Sequence, residues 1–230
     1  MVERLLLGNV LVVAVCALVY ELLCGTLASY LLGDAVLQFS LVLGTYLFAM
    51  GVGAWLSRSL EGRAPSRYVQ AELALALVGG LSAPGLLLAV SAHLPLRPTL
   101  YAVVFVVGAL VGVELPLLVK ILRTPRVVEV ATAEVATAPR FGDLVARALA
   151  YDYVGALAAS LLFPLLLVPR LGLVRTSVVT GAVNALVAVS ASFVIKVERP
   201  HLVRLAGAIV LLVLAITFVR GEAWVAAATD

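Results

Sequence analysis

Long apolar runs separated by short charged segments constrain this chain more than any other feature of its sequence. One run extends from residue 154 to residue 168 without a charged side chain, and a Pro-Arg-Leu-Gly segment then ends the helix. A bilayer core about 30 Å thick requires about 20 predominantly apolar residues in a helix. The chain is 63% hydrophobic and only 13% charged, whereas soluble domains average about 25% charged residues. The sequence therefore predicts an all-α, polytopic integral membrane helix bundle.

We predict about seven transmembrane helices in a single domain that covers residues 1–230. Glycines and a proline inside the third span predict a kink there. The last span is the shortest, because 15 apolar residues rise only about 22 Å and the helix must start nearer residue 202 to cross. The predicted spans are 5–32, 39–56, 69–92, 100–122, 148–169, 176–195 and 202–219, with a cytoplasmic linker at 123–147.

The distribution of cations between the spans predicts the orientation of the chain. Cytoplasmic loops of membrane proteins carry an excess of lysine and arginine. If the N-terminus is cytoplasmic, twelve cations fall on that side and four on the other. We therefore expect a multi-pass protein of the cell membrane with a cytoplasmic N-terminus, and we attribute the isoelectric point near 9.1 to loop charge and not to nucleic-acid binding. The twelve are Arg4, Arg58, Arg63, Arg67, Lys120, Arg123, Arg126, Arg140, Arg147, Lys196, Arg199 and Arg204.

Three acids inside the apolar segments are the first candidates for a functional site. Glu21 and Glu114 lie within about one turn of the midpoints of their spans, and Asp152 lies roughly 10 Å toward the cytoplasm. A carboxylate at such depth is costly unless it faces protein or a water-filled cavity. We expect the three to project into one polar interior, where they bind a ligand. The alternative is that each acid is a structural partner of a tyrosine, an asparagine or the backbone.

Further candidates are polar side chains near these acids. Tyr20 and Tyr153 are placed to donate to a neighbouring carboxylate, and Tyr151 and Asn184 complete the candidate ligand-binding set. Packing at an interface, or a hydrogen bond between helices, is the alternative for each of them. The two histidines lie in loops without other ligand types, so no metal site, catalytic residue or cofactor is predicted.

Several motifs resemble the membrane-embedded domain of membrane-bound spermidine synthase-like proteins, also described as polyamine aminopropyltransferase-like. They span nearly the whole chain. The matching stretches are YELLCGTLASYLLG at 20–33, GTY at 44–46 with GVG at 51–53, GVELP at 112–116, and 150–173, which runs from AYDYVGAL to PRLGL.

The resemblance implies that such a domain accompanies a soluble Rossmann-like domain. That domain's Gly-rich, acid-containing loop binds decarboxylated S-adenosylmethionine. This sequence stops where the soluble domain is expected to begin, and it contains no Gly-x-Gly-x-x-Gly after a strand. We therefore expect either a truncated membrane domain or a stand-alone relative, and we expect this chain alone not to be an enzyme.

Two hypotheses about function follow from the sequence. In the first, the intramembrane acids bind or transport a small cation such as a polyamine. In the second, the chain is a membrane anchor or assembly module for a soluble aminopropyltransferase-like domain and has no ligand of its own. A cavity that reaches the acids distinguishes the two. The lipid bilayer is a partner in both, nucleic acid in neither, and the sequence leaves the oligomeric state open.

The cation distribution yields the first testable prediction. A reporter inserted between residues 124 and 143 is expected to be accessible from the cytoplasm only, because this segment lies on the side that carries twelve of the sixteen cations. Labelling of an inserted cysteine by an impermeant thiol reagent in intact cells and in inverted vesicles measures this. Labelling from outside intact cells would contradict the orientation of the whole chain.

Overall fold

The computed structural model of this protein describes residues 2–122 and 141–229, which are helical almost throughout and contain no strand. Two short irregular helices interrupt the α-helices: a 3₁₀-helix at Ser57–Arg63 and a π-helical turn at Phe163–Leu167. The eight α-helices are α1 Val2–Leu32, α2 Ala35–Leu56, α3 Ala64–Gly80, α4 Ser82–Ser91, α5 Leu96–Leu122, α6 Phe141–Leu162, α7 Val168–Val194 and α8 Pro200–Thr229.

Most of these helices are long and apolar enough to cross a membrane. Five continuous stretches qualify within the described residues, and α3 with α4 forms a sixth if the bent pair is one span. That bend is 43° and lies at Leu81, between the glycine pair and the proline of the third predicted span. The all-helical class is therefore confirmed, whereas the number of membrane crossings stays a prediction.

One apolar stretch is far longer than a single crossing. Val145–Val194 contains 50 residues, or about 75 Å of helix, against a hydrocarbon core of about 30 Å. Pro164 lacks the amide hydrogen for a normal helical bond, and the π-helical turn lies at this proline. Gly172 then leaves the helical region altogether, with φ 73° and ψ 174°. This break lies at the end of the Pro-Arg-Leu-Gly segment and separates two lengths that can each cross.

Glycines let three pairs of helices approach closely. A methyl group on Gly155 of α6 would lie 2.6 Å from the Leu11 carbonyl oxygen of α1, and one on Gly181 of α7 would lie 2.6 Å from the Ala76 carbonyl of α3. Between α2 and α5, the missing side chain of Gly112 makes room for the backbone of Met50. Small residues of this kind allow van der Waals packing between backbones, which holds helices together in lipid.

Apolar side chains lie both inside the bundle and on its outer surface. Cys16 and Cys24 of α1 are buried free thiols, and their separation of eight residues, about 12 Å along a helix, prevents a disulfide between them. On the outside, large apolar side chains such as Tyr30, Val36 and Leu165 are more than 70% exposed. Exposed apolar side chains of this size are typical of a surface that interacts with lipid or with another protein.

Two details differ from the sequence-based expectation. The eighth helix is not short, because the predominantly apolar stretch Pro200–Gly221 alone has 22 residues, about 33 Å, and the helix continues to Thr229. Arg204 lies in its second turn and places its guanidinium 3.8 Å from the centre of the Phe193 ring, so the cation sits over an aromatic face. Most of the predicted linker at 123–147 falls outside the described residues, and α6 begins within it, at Phe141.

Close packing at Gly112 is testable with a matched pair of substitutions. Gly112→Ala is expected to lower the free energy of unfolding by about 1–3 kcal/mol, because its methyl group would overlap the Met50 backbone. Gly51→Ala on α2 meets no atom within 4 Å and should be neutral or stabilise the helix by up to about 1 kcal/mol. Unfolding in mixed detergent and SDS micelles measures both. Equal effects of the two changes would contradict backbone contact at Gly112.

Candidate functional site

Glu114 lies in the second half of α5, in a stretch that the sequence makes locally irregular. Pro116 cannot donate to the carbonyl of Gly112, so a backbone acceptor is freed one half-turn before the acid. The Glu114 side chain is only 4% exposed, and its Oε1 atom has no hydrogen-bond partner among the described residues. A buried carboxylate oxygen without a partner is expensive and is therefore a candidate for a ligand contact.

Asp152 reaches the same place from another helix. Close packing of α6 on α1 at Gly155 brings the middle of α6 against the first half of α1. Asp152 is half-buried there and lines a cavity of about 70 Å³ together with Glu114. Such a volume holds a few water molecules. Met50 and Tyr68 contribute to the wall, and the remaining lining is apolar: Val10, Val13, Ala14, Ala17, Val111, Leu115 and Leu118.

A third acid, Glu72 of α3, was not among the sequence-based candidates. It is completely buried, and its polar neighbours are the side chains of Tyr68 and Asn184. Neither carboxylate oxygen has a hydrogen bond of good geometry in the described part of the chain. The sequence places residue 72 near the start of a span at residue 69, where an acid costs little. In the structure α3 begins at Ala64, so Glu72 lies about 12 Å along the helix. A prediction that α3 begins near residue 64 would have placed Glu72 deep enough in the helix to make it a candidate.

Glu72, Glu114 and Asp152 form one electrostatic group, which we call the acid cluster. The charges of Glu72 and Asp152 both act on the Glu114 carboxyl, although the three residues come from three different helices. Tyr68 lies one turn before Glu72 on α3 and has its side chain in the cavity wall. Like charges in a low-dielectric interior repel strongly, so the cluster favours a proton or an external cation between its members.

The structure separates the other predicted site residues from the cavity. Glu21 is half-buried on α1 and does not line the cavity, so the expectation that it shares one interior with Glu114 and Asp152 needs correction. Tyr151 and Tyr153 flank Asp152 on α6 but point outward, 41% and 69% exposed, because neighbouring helical residues face directions about 100° apart.

Tyr20 and Asn184 are both buried but serve the packing of helices. The Tyr20 ring occupies the space left by Gly79, and its hydroxyl has no hydrogen-bond partner among the described residues. Asn184 of α7 donates from Nδ2 to the backbone carbonyl of Glu72, with a distance of 3.1 Å between the two atoms. Asn184 therefore holds α7 against α3 next to the acid cluster. Over residues 2–122 and 141–229, no group of histidine, cysteine or acidic side chains is arranged to hold a metal ion.

Fold and site together define an all-helical protein whose helices suit a membrane and whose interior holds a small acid-lined cavity. The sequence is similar to proteins named polyamine aminopropyltransferase. Polyamine aminopropyltransferase 2 of Ralstonia nicotianae is 47% identical over 208 residues, which cover 90% of this chain and 38% of the relative. The Leptospira interrogans enzyme is 43% identical over 195 residues, covering 85% of this chain and 36% of the relative.

A third relative extends the match along the chain. Polyamine aminopropyltransferase 1 of Streptomyces coelicolor is 41% identical over 224 residues, which cover 95% of this chain and 40% of the relative. This chain thus spans about two fifths of the length of the curated relatives it matches. No family model and no solved structure matches it.

These relatives overturn the sequence-based hypotheses about function. Proteins that match about nine tenths of the chain are named as transferases, which points to an enzyme. The expectation that the chain is not an enzyme is therefore wrong. Both function hypotheses are wrong as well, because the cation-binding or transporting domain and the anchor were each given no catalytic role. The first hypothesis came from the intramembrane acids and the second from the family resemblance, and the absence of a recognisable catalytic motif led both to leave out a catalytic role.

The unpartnered oxygen of Glu114 leads to a prediction about stability. Glu114→Met keeps the volume of the side chain and removes a buried polar atom, so we expect it to raise the free energy of unfolding by about 1–3 kcal/mol. Leu118→Met changes another residue of the cavity wall without changing its polarity and should shift stability by less than about 1.5 kcal/mol. SDS unfolding measures both. A Glu114→Met variant less stable than Leu118→Met would show that the carboxylate is fully satisfied.

Proposed function

We propose that this chain is the membrane-embedded helical part of a polyamine aminopropyltransferase, an enzyme that transfers an aminopropyl group to an amine. The observation that carries the proposal is the 47% identity to the Ralstonia enzyme over 208 residues. A match of this length includes most of the described helices, so the similarity is not confined to one apolar segment. The relatives at 43% and 41% identity carry the same enzyme name.

Helix length and charge distribution support a place for the chain in the cell membrane. The continuous apolar helices, the bent α3–α4 pair and the break at Gly172 are consistent with seven crossings. With a cytoplasmic N-terminus, the ends of α3 and α8 that carry Arg63 and Arg199 face the cytoplasm. Cytoplasmic amine substrates then reach the enzyme from the side that carries most of the cations.

Within this enzyme, we assign the cavity between Glu114 and Asp152 to recognition of the amine-bearing substrate. Carboxylates are the side chains that pair with an ammonium group, and burial strengthens the interaction because water screens it less. The cavity of about 70 Å³ is of a size for one amine group and not for a whole polyamine. Glu72, buried beside Glu114, adds negative charge behind the site.

An aminopropyl-transfer assay tests the proposed function. Membranes containing the chain are supplied with decarboxylated S-adenosylmethionine, the donor that the family resemblance implies, and with a diamine, and the product is measured by mass spectrometry. A second arm adds the part of the Ralstonia relative that lies outside the matched stretch, since the chain covers 38% of that protein. We expect product formation that depends on the chain in at least one arm. Equal product with empty membranes in both arms would overturn the proposal.

Two variants and one control locate the amine site in the same assay. Glu114→Gln and Asp152→Asn should each lower kcat/KM for the amine about tenfold, because a hydrogen bond to a charged group contributes about 1.5–3 kcal/mol. Asp143→Asn removes an exposed acid from the first turn of the same helix as Asp152 and should leave kcat/KM unchanged. If both cavity variants had the kcat/KM of the wild type, the cavity would not be the amine site, whereas the proposed enzyme function would be unaffected.

A further inference from the structure

A second cavity lies where α3 and α8 begin, and its lining differs chemically from that of the acid cluster. It has a volume of about 380 Å³ and is mostly polar. The start of α3 forms one wall and the segment that precedes α8 forms the other. We call it the arginine cavity, after its three arginines. The polar side chains that line it are Arg63, Ser66, Arg67, Gln70, Glu198 and Arg199, and Leu202 and Val203 complete the lining.

Positive charge is in excess in the arginine cavity. Three guanidinium groups and one carboxylate leave a formal charge of +2. The single ion pair joins Arg63 Nε to Glu198 Oε1 at 3.5 Å, and both side chains are about two thirds exposed, so the pair is weak and easily rearranged. Arg67 donates to the neutral Gln70 Oε1 at 3.1 Å, which orients its guanidinium without neutralising it.

The backbone holds the two walls of the cavity together. The amide of Glu198 donates to Ser66 Oγ over 2.8 Å, although these residues are 132 positions apart in the sequence. Ser66 is buried, so this bond fixes the loop before α8 against the first turn of α3. The guanidinium groups of Arg67 and Arg199 are thereby brought to opposite walls of one cavity and not left on independent loops.

An apolar surface continues from the cavity along α8. Leu202 lines the cavity and is 47% exposed, and Leu205, one turn further, is 58% exposed. Guanidinium groups therefore lie directly beside side chains suited to lipid. A ligand with a phosphate at one end and hydrocarbon at the other matches this order of surfaces.

We infer that the arginine cavity binds a phosphate group, and that the phosphate belongs to the headgroup of an anionic phospholipid. Arginine forms paired hydrogen bonds to phosphate oxygens, which a point charge does not. The cavity volume exceeds that of a bare phosphate and leaves room for a glycerol headgroup. The inference is independent of the enzyme function and of the acid cluster.

Lipid retention by the purified chain tests the inference. The chain is reconstituted in phosphatidylcholine nanodiscs with or without phosphatidylglycerol, and bound lipid is counted by native mass spectrometry after release. Selective retention of phosphatidylglycerol is expected in the wild type. Arg67→Gln and Arg199→Gln should each reduce it about fivefold, which corresponds to about 1 kcal/mol per cation near an anionic surface. In a separate arm, inorganic phosphate is added and the retained phosphatidylglycerol is measured again. Complete displacement of the lipid by inorganic phosphate would show that the cavity binds free phosphate and would overturn the assignment to a lipid headgroup.

Two controls keep the outcome specific. Arg58→Gln removes an exposed arginine from the same 3₁₀-helix as Arg63 without touching the cavity, so it should retain lipid as the wild type does. Glu198→Gln removes the competing carboxylate and should increase retention about fivefold. Equal retention of the two lipids, or equal losses in Arg58→Gln and Arg67→Gln, would overturn the inference. Circular dichroism of each variant verifies that the helices are intact.

Discussion

Close contact between helix backbones is the constraint on which the rest of this structure depends. Helices surrounded by lipid gain nothing from burying leucine, so they associate through packing at small residues. Here Gly112, Gly155 and Gly181 each allow one helix to lie against the carbonyls of another. These three contacts join α2 to α5, α6 to α1 and α3 to α7, and each fixes the distance between the two helices it joins.

The acid cluster follows from this packing. Gly155 lies almost one turn beyond Asp152, and Gly112 lies two residues before Glu114, so the glycines that bring the helices together also set the depth of the acids. The cavity between Glu114 and Asp152 lies among these helices, with Ala14 and Met50, which contact the glycines, in its wall. The glycine contacts hold the surrounding helices and so offset the free-energy cost of burying unpartnered carboxylates. A shift of one of these helices therefore also moves the acid that it carries.

The sequence was sufficient for the helical class, for the bend around Leu81 and for the break after Pro169, because proline and glycine act locally. It also pointed to Glu114 and Asp152, since an acid within an apolar run is visible without a structure. It missed Glu72, whose depth depended on where α3 begins. It also could not show that Tyr151 and Tyr153 lie outside the cavity, because their directions depend on how α6 packs. The resemblance to aminopropyltransferase-like proteins was visible in the sequence, but function was misjudged because the missing catalytic motif was given more weight than that resemblance.

The two buried cysteines make thiol reactivity a measure of whether the helix bundle is closed. Cys16 and Cys24 are the only thiols in the sequence, both lie on α1, and each is about 1% exposed. Because α1 touches α2, α5, α6 and α7, neither sulfur can meet a reagent until that helix separates from its neighbours. The rate at which a thiol reagent alkylates the unmodified chain therefore measures how often the helix bundle opens. An engineered cysteine on an outer surface can be labelled while the two native cysteines remain unmodified.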